Sequence, residues 1–248
     1  MIAGKKVLAI VPARGGSKGV PGKNILPVGG RPLIEWTVSE AKASRHIDRL
    51  VLSSDDDHIM AAALAAGCEV PFRRDAALAT DASSTIDVVL DALERLPGFD
   101  LVMVLQPTSP LRTTADIDGA LERLVASDAP ACVSVSEAAN HPYWTFRLGG
   151  DAQDTLEPFA RPAGGLPLRR QDLPAAWCLN GAVYVAHADW FKVNRSFLSD
   201  RTLGHPMPVE RSLDIDTPED VERLKQILAP RQPPLPASAQ ATSTKAQS

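Results

Sequence analysis

Two short stretches, far apart in the chain, hold residue types that could act on a phosphorylated substrate. Pro12 to Asn24 reads PARGGSKGVPGKN, so Arg14, Lys18 and Lys23 stand among four glycines. Glycines let backbone N–H groups close on an anion, and a guanidinium forks two phosphate oxygens. Near the other end, SLDIDTPED sets Asp214 and Asp216 two positions apart. In extended chain such residues face one side, where two carboxylates could share a hard cation. Magnesium with a polyphosphate is the chemistry that would join the two stretches. Each has a plainer competitor: a solvated basic turn, and an acidic pair suited to a helix N-terminus. The basic loop is not a P-loop, because Asn24 follows Lys23, and GGSKGVPG is not the dinucleotide fingerprint. A third segment, LQPTSPLR, offers Gln106, Thr108 and Ser109 as donors and acceptors for a sugar or base, and ends in Arg112.

These residues need a frame, and the apolar pattern supplies one. KVLAIV, RLVLSS, LVMVLQ, ACVSVS and GAVYVA read as buried strands, being brief, rich in Val, Leu and Ala, and bounded by polar or turn residues. Between them PLIEWTVSEAKAS, DHIMAAALAAG, STIDVVLDALERL and DIDGALERLVAS repeat apolar residues at helical spacing. Strand–helix alternation of this kind predicts an α/β fold with a doubly wound, mostly parallel sheet. Ligands of such sheets bind beyond the carboxyl ends of the strands. The basic loop and LQPTSPLR both follow strands directly. The rhythm fails from about 141 to 176, where Pro, Gly and Arg replace periodic apolar residues, and an inserted β-hairpin or arm is expected there. It resumes to a last helix, with Thr217 as its cap and Pro218 as its first residue. Residues 230–248 are too poor in large apolar groups to repay ordering and read as a disordered tail.

Composition narrows the function. A formal net charge of −4 argues against a general nucleic-acid binder and leaves the basic loop as a local site for a small anion. Cys68, Cys132 and Cys178 are widely spaced and odd in number, which suits a reducing cytoplasm. The apolar run after Lys6 is broken by Pro12 and Arg14, too early for a signal peptide, and no stretch approaches the ~20 apolar residues of a membrane span.

Taken in order, IVPARGGSKGVPGKN, ALATDASST, LQPTSPLR, RRQDLP…LNGAVYV and LDIDTPEDV resemble the N-acylneuraminate cytidylyltransferases, the CMP-sialic acid synthetases. The resemblance runs from about Val7 to Leu228, and the opening motif is its most specific mark. It implies a fold of the nucleotide-sugar transferase type over residues 1–229, with a dimerisation arm at about 141–176. It implies an enzyme that couples CTP to a nine-carbon 2-keto acid sugar and releases pyrophosphate. Arg14 and Lys23 would then hold the triphosphate, with backbone donors from Gly15, Gly16 and Ser17. Asn24, Arg74, Ser83 and Thr85 match positions that bind base and ribose, and Gln106 one that contacts the sugar acid. Asp214 and Asp216 match magnesium ligands. Arg169 and Arg170 match a basic pair on the arm, which in relatives reaches across a homodimer.

Two positions depart from the pattern. Some neuraminate-using relatives carry basic residues where this chain has Trp144 and Cys178. A tryptophan there could pack on an N-acyl group or the apolar face of a modified sugar, which makes a legionaminate-type acid a candidate acceptor beside neuraminate; packing within the arm would explain the residue equally well. Two further readings stand beside this one. A cytidylyltransferase for another 2-keto sugar acid would share the architecture, although the eight-carbon-acid enzymes open with Ser-Thr-Arg where this chain has GSKGVPGKN. A nucleotide-binding module without catalysis would have little use for Asp214 and Asp216.

Overall fold

The computed structural model of the chain describes residues 1–150, 154–162, 165–167 and 169–229; the expected tail at 230–248 lies outside the described residues. Six strands form the central sheet: β1 (Val7–Pro12), β4 (Arg49–Ser53), β5 (Leu101–Val104), β6 (Ala131–Glu137), β9 (Trp177–His187) and β10 (Leu203–Pro206), in the order β10-β6-β9-β5-β1-β4. Two short strands, β2 (Pro27–Val28) and β3 (Arg31–Pro32), pair beside it, and β7 (Phe146–Leu148) with β8 (Leu156–Pro158) forms a separate hairpin.

β1 pairs in parallel with β4 and β5, and β10 with β6. β9 alone runs the other way, antiparallel to both β5 and β6. The reason lies in the connection. A parallel return needs a crossover, usually a helix; the chain between β6 and β9 spends its length on the β7–β8 hairpin instead. The arm expected from sequence thus includes an antiparallel hairpin, and it changes the sense of the strand that follows it.

Side chains of β1 alternate between the two faces of the sheet, as its two-residue period requires. Val7, Ala9 and Val11 join one buried cluster, while Leu8 and Ile10 join another. The first face is covered by α1 (Leu33–Ala43), α2 (Asp57–Ala65) and α4 (Thr114–Val125). The second is covered by α3 (Thr85–Arg95) and α5 (Ala188–Asn194). Burying each large aliphatic side chain contributes about 1.5–3 kcal/mol. A third cluster packs α6 (Pro218–Leu228) against the opening of the chain, through Val20, Val28, Ile215, Val221 and Leu224. That cluster brings residues near 20 and residues near 215 together.

Caps set where the helices begin. Ser84 accepts from the Asp87 amide at 3.1 Å, and Thr217 accepts from Asp220 N while the Asp220 carboxylate accepts from Thr217 N at 2.8 Å. Such caps contribute ~1 kcal/mol each. The expected cap at Thr217 and start at Pro218 are both present.

Candidate active site

β5, β1 and β4 lie side by side and point the same way, so their carboxyl ends share one edge. The segments that leave β1 and β5, with Arg74 and the turn before α3, line a cleft of about 490 Å³. The basic loop leaves β1, an acidic run Asp55–Asp57 follows β4, and the Gln106 segment leaves β5.

The basic loop is pinned from below. The Gly15 amide donates to Asp55 Oδ1 at 3.0 Å, and the Ser17 amide to the Gly15 carbonyl at 3.1 Å. Two of the three backbone donors expected for phosphate, those of Gly15 and Ser17, are therefore already engaged within the protein. A Cβ on Gly15 would stand 2.8 Å from Asp56 Oδ2, and one on Gly19 2.1 Å from the Asp216 carbonyl. Glycine at 19 is thus a condition for the loop to lie against the Asp214–Asp216 segment. Buried Asn24 donates its amide to the Arg14 carbonyl at 3.1 Å, so it shapes the loop as well as lining the cleft.

Three cations of the loop face the opening. Lys23 Nζ donates to the Ile215 carbonyl at 2.5 Å and to Asp216 Oδ1 at 3.0 Å. Arg14 and Lys18 meet Asp81, at 2.8 and 2.6 Å. A fourth cation, Arg74, is buried in the wall and donates to Ser53 Oγ and O at 3.0 and 2.6 Å. Burial pushes its pKa down to about 10, against the pull of nearby Asp55; it stays charged at neutral pH.

Leu213 and Ile215 turn into the core, and the carboxylates of Asp214 and Asp216 fall on the alternate positions. Asp216 is exposed, whereas Asp214 Oδ1 is fully buried without a hydrogen-bond partner. Burial raises the Asp214 pKa; a bond to Thr108 opposes that shift, and the neighbouring Asp216 charge adds to it. A buried anionic oxygen with no partner is costly. Hard oxygen donors, one of them unpaired, fit a divalent cation by their chemistry.

The floor is set by Arg112, which is 2% exposed. Its Nη1 donates to the carbonyls of Ala182 (2.6 Å) and Gln106 (3.3 Å), and its Nη2 to Thr37 Oγ1 (2.7 Å). It therefore ties the end of β5 to the middle of β9. There the β6–β9 register slips between Val133 and Val135, and Gly181 takes φ +75°. A Cβ on Gly181 would lie 3.2 Å from Gln106 Oε1 and 3.6 Å from both Asp214 Oδ2 and Ser109 Oγ.

Of the residues singled out in the sequence, Arg14, Ser17, Lys23, Asn24 and Arg74 line the cleft, and so do Ser83, Thr85, Gln106 and Asp216. Asp214 stands beneath it beside Gln106 and Thr108, while Gly16 lines a smaller hollow next to Arg14 and Lys18. Ser83 Oγ is engaged in its own turn, donating to the Ala77 carbonyl at 2.9 Å. Arg169 and Arg170 are not in the cleft. They sit exposed on the arm, where Arg169 pairs with Asp172 at 2.8 Å and Arg170 lines a second cavity, of about 470 Å³, with His141 and Trp144. Trp144 is 42% exposed, and its Nε1 donates to the Pro167 carbonyl at 2.8 Å. Sequence reasoning missed Asp55, Asp81 and Gly181 altogether. The run of three aspartates just after a strand was a usable signal for the first.

Residues 8–152 match the family model described as cytidylyltransferase. The chain is 36% identical over 229 residues to the CMP-N,N'-diacetyllegionaminic acid synthase of Legionella pneumophila, covering 87% of this chain and 93% of that protein. It is 33% identical over 217 residues to the N-acylneuraminate cytidylyltransferase of Streptococcus agalactiae serotype III; the match covers 87% of this chain but 51% of that protein, so the chain spans about half of it. Among solved structures, a CMP:2-keto-3-deoxy-manno-octonic acid synthetase complexed with CTP superposes with a TM-score of 0.68 at 17% identity, over 90% of this chain and 98% of that one, a likeness of fold.

Proposed function

The chain belongs to the cytidylyltransferase family, and on that premise we propose that it couples CTP to a nine-carbon 2-keto acid sugar, giving the CMP-sugar and pyrophosphate. The anomeric oxygen of the acid attacks the α-phosphorus, a P–O bond forms there, and the bond to the bridging oxygen of pyrophosphate breaks. The hydroxyl proton passes to solvent. One observation supports this most directly: Lys23 of the basic loop touches Asp216 of the acidic pair at 3.0 Å, so the two stretches with phosphate and cation chemistry form one site.

Arg14 and Lys23 are the groups proposed to meet the negative charge that grows on the leaving pyrophosphate. Preorganised charge of this kind is usually the largest catalytic contribution. Asn24, Arg74, Ser83 and Thr85 are assigned to the nucleoside, and Gln106 to the sugar acid, as the family resemblance implies; that all five line one cleft supports the assignment. Asp214 and Asp216 would hold a divalent cation, which we take to be magnesium. When bound, such an ion supplies charge neutralisation to the phosphates.

Arg169 and Arg170 act, in this reading, from the arm of a second copy. The arm and the start of β9 expose the large apolar side chains of Trp144, Leu148, Leu156, Phe159 and Trp177, which suits burial in a homodimer. Trp144 and Arg170 share one cavity, which pairs a guanidinium for a carboxylate with an apolar face for an N-acyl group. We therefore favour a legionaminate-type acceptor over neuraminate. The reaction is placed in the cytoplasm, consistent with Cys68, Cys132 and Cys178 all being free thiols. Pyrophosphate release from CTP, measured with each candidate acid in turn, tests the reading; release that does not depend on any keto acid would reject it.

A further inference from the structure

We propose that Asp81 is a resident counter-anion of the phosphate loop, clasping Arg14 and Lys18 until the β- and γ-phosphates of a nucleoside triphosphate displace it. The proposal rests on the reading of that loop as the triphosphate cradle. Asp81 divides its two carboxylate oxygens between the cations, Oδ1 on Arg14 Nη2 at 2.8 Å and Oδ2 on Lys18 Nζ at 2.6 Å. A terminal phosphate bridging the same cations would present its oxygens in the same way. All three side chains line the cleft, so the carboxylate stands inside the site.

The carrier of Asp81 is a firm turn. Thr80 N donates to Ser83 Oγ at 3.2 Å, Ser83 Oγ donates to the Ala77 carbonyl at 2.9 Å, and Ser84 caps α3. The clasp thus ties the α3 side of the cleft to the loop after β1. Lys23 is left out of it, being held by Asp216. The Lys18 and Arg14 contacts hold the Asp81 carboxyl below the usual carboxylate range, so it is ionised at neutral pH.

Charge count then decides who wins. The side chains of Lys18 and Asp81 are 77% and 52% exposed, and ion pairs in such surroundings are weak. A triphosphate brings several negative charges against one. A nucleoside monophosphate, or the CMP-sugar product, has no β- or γ-phosphate to compete, so the clasp can close again once pyrophosphate has gone. Asp81 thereby narrows the gap between substrate and product binding that the cations create, without touching the reacting atoms.

Calorimetric titration of the full chain in EDTA with CTP, CMP and inorganic tripolyphosphate tests this. Asp81→Asn should bind CTP and tripolyphosphate about three- to tenfold more tightly at low salt, with CMP binding unchanged and reporting an intact cleft. The gain should shrink at 1 M salt, where the Debye length is ~3 Å, and vanish when Arg14→Ala and Lys18→Ala are also present. CTP binding that is unchanged or weaker in Asp81→Asn, or an equal gain for CMP, overturns the clasp while the cradle stands. Wild-type protein that prefers neither CTP nor tripolyphosphate over CMP removes the cradle and the clasp with it.

Discussion

Lys23 and Asp216 lie 193 positions apart and meet at 3.0 Å, with the Lys23 ammonium also donating to the carbonyl of Ile215. The contact depends on the third apolar cluster, which seats α6 and its preceding segment against residues 20–28. It also depends on Gly19, whose missing side chain leaves room for the Asp216 carbonyl. The basic loop and the Asp214–Asp216 segment are therefore built as a single packing unit.

Gly19→Ala should separate the two. The added Cβ would sit 2.1 Å from backbone oxygen, so the loop must move. Turnover should fall at least a hundredfold, a loss that misplacement by about 1 Å can produce. Steady-state kinetics on the folded variant checks this, and activity within a few-fold of wild type would show that the loop tolerates the shift.

Asp216→Ala should lower kcat about a thousandfold or more at saturating magnesium, because charge neutralisation supplying several kcal/mol is lost. Asp214→Asn should be equally inactive yet more heat-stable when free of cations. The Asp214 pKa is raised in the folded chain, chiefly by burial. Between the ordinary aspartate value and the raised one, the unfolded chain has released a proton that the folded chain keeps, so stability falls as pH rises through that window. At neutral pH the ionised carboxylate is a net cost, which the asparagine removes. Melting curves of both proteins in EDTA and in magnesium measure it: magnesium should raise the wild-type midpoint and leave that of Asp214→Asn unchanged.

How much of this was legible in the sequence differs by residue. The strands around Val7, Leu50, Leu101 and Ala131 were readable because buried parallel strands are unbroken apolar runs. α5 and β10 were not: Ala188–Asn194 is too short to repeat a helical period, and Leu203–Pro206 includes Gly204 and His205. The antiparallel sense of β9 is a property of the connection before it, which no residue within β9 encodes. In the site, Arg14 and Lys23 were visible as basic residues among glycines directly after a strand, and Asp216 as one of two aspartates at alternate positions. Asp81 looks like an ordinary surface aspartate until the fold brings it to Arg14.

Arg14→Ala should reduce kcat about a hundredfold with a smaller change in KM for CTP, since the charge it meets grows during the transfer. Lys23→Ala should act in the same way. A change confined to KM would make the loop a binding cradle only.

Arg112→Ala should lower the unfolding free energy by about 3 kcal/mol, because two buried carbonyls and the Thr37 hydroxyl lose their donor and a cavity opens. Denaturant unfolding at neutral pH measures the loss. A variant as stable as wild type would mean that β5 and β9 hold their register without it.

Trp144→Lys should move the acceptor preference. The wild type should favour a diacylated legionaminate-type acid over neuraminate, by no more than the 10–200-fold that a methyl or a lost hydroxyl can provide. The variant should shift the kcat/KM ratio toward neuraminate. A ratio that the substitution leaves untouched would make Trp144 a packing residue of the arm.

The proposed reaction is transfer of CMP from CTP to a nine-carbon 2-keto acid. Mass spectrometry of the product, from purified protein with CTP, magnesium and an equimolar mixture of neuraminate, a diacetylated legionaminate and an eight-carbon 2-keto acid, tests it most directly. CMP adducts of the nine-carbon acids are expected, the legionaminate adduct the more abundant, with one pyrophosphate released for each. An adduct of the eight-carbon acid alone, or no CMP-sugar while CTP is bound, would contradict it.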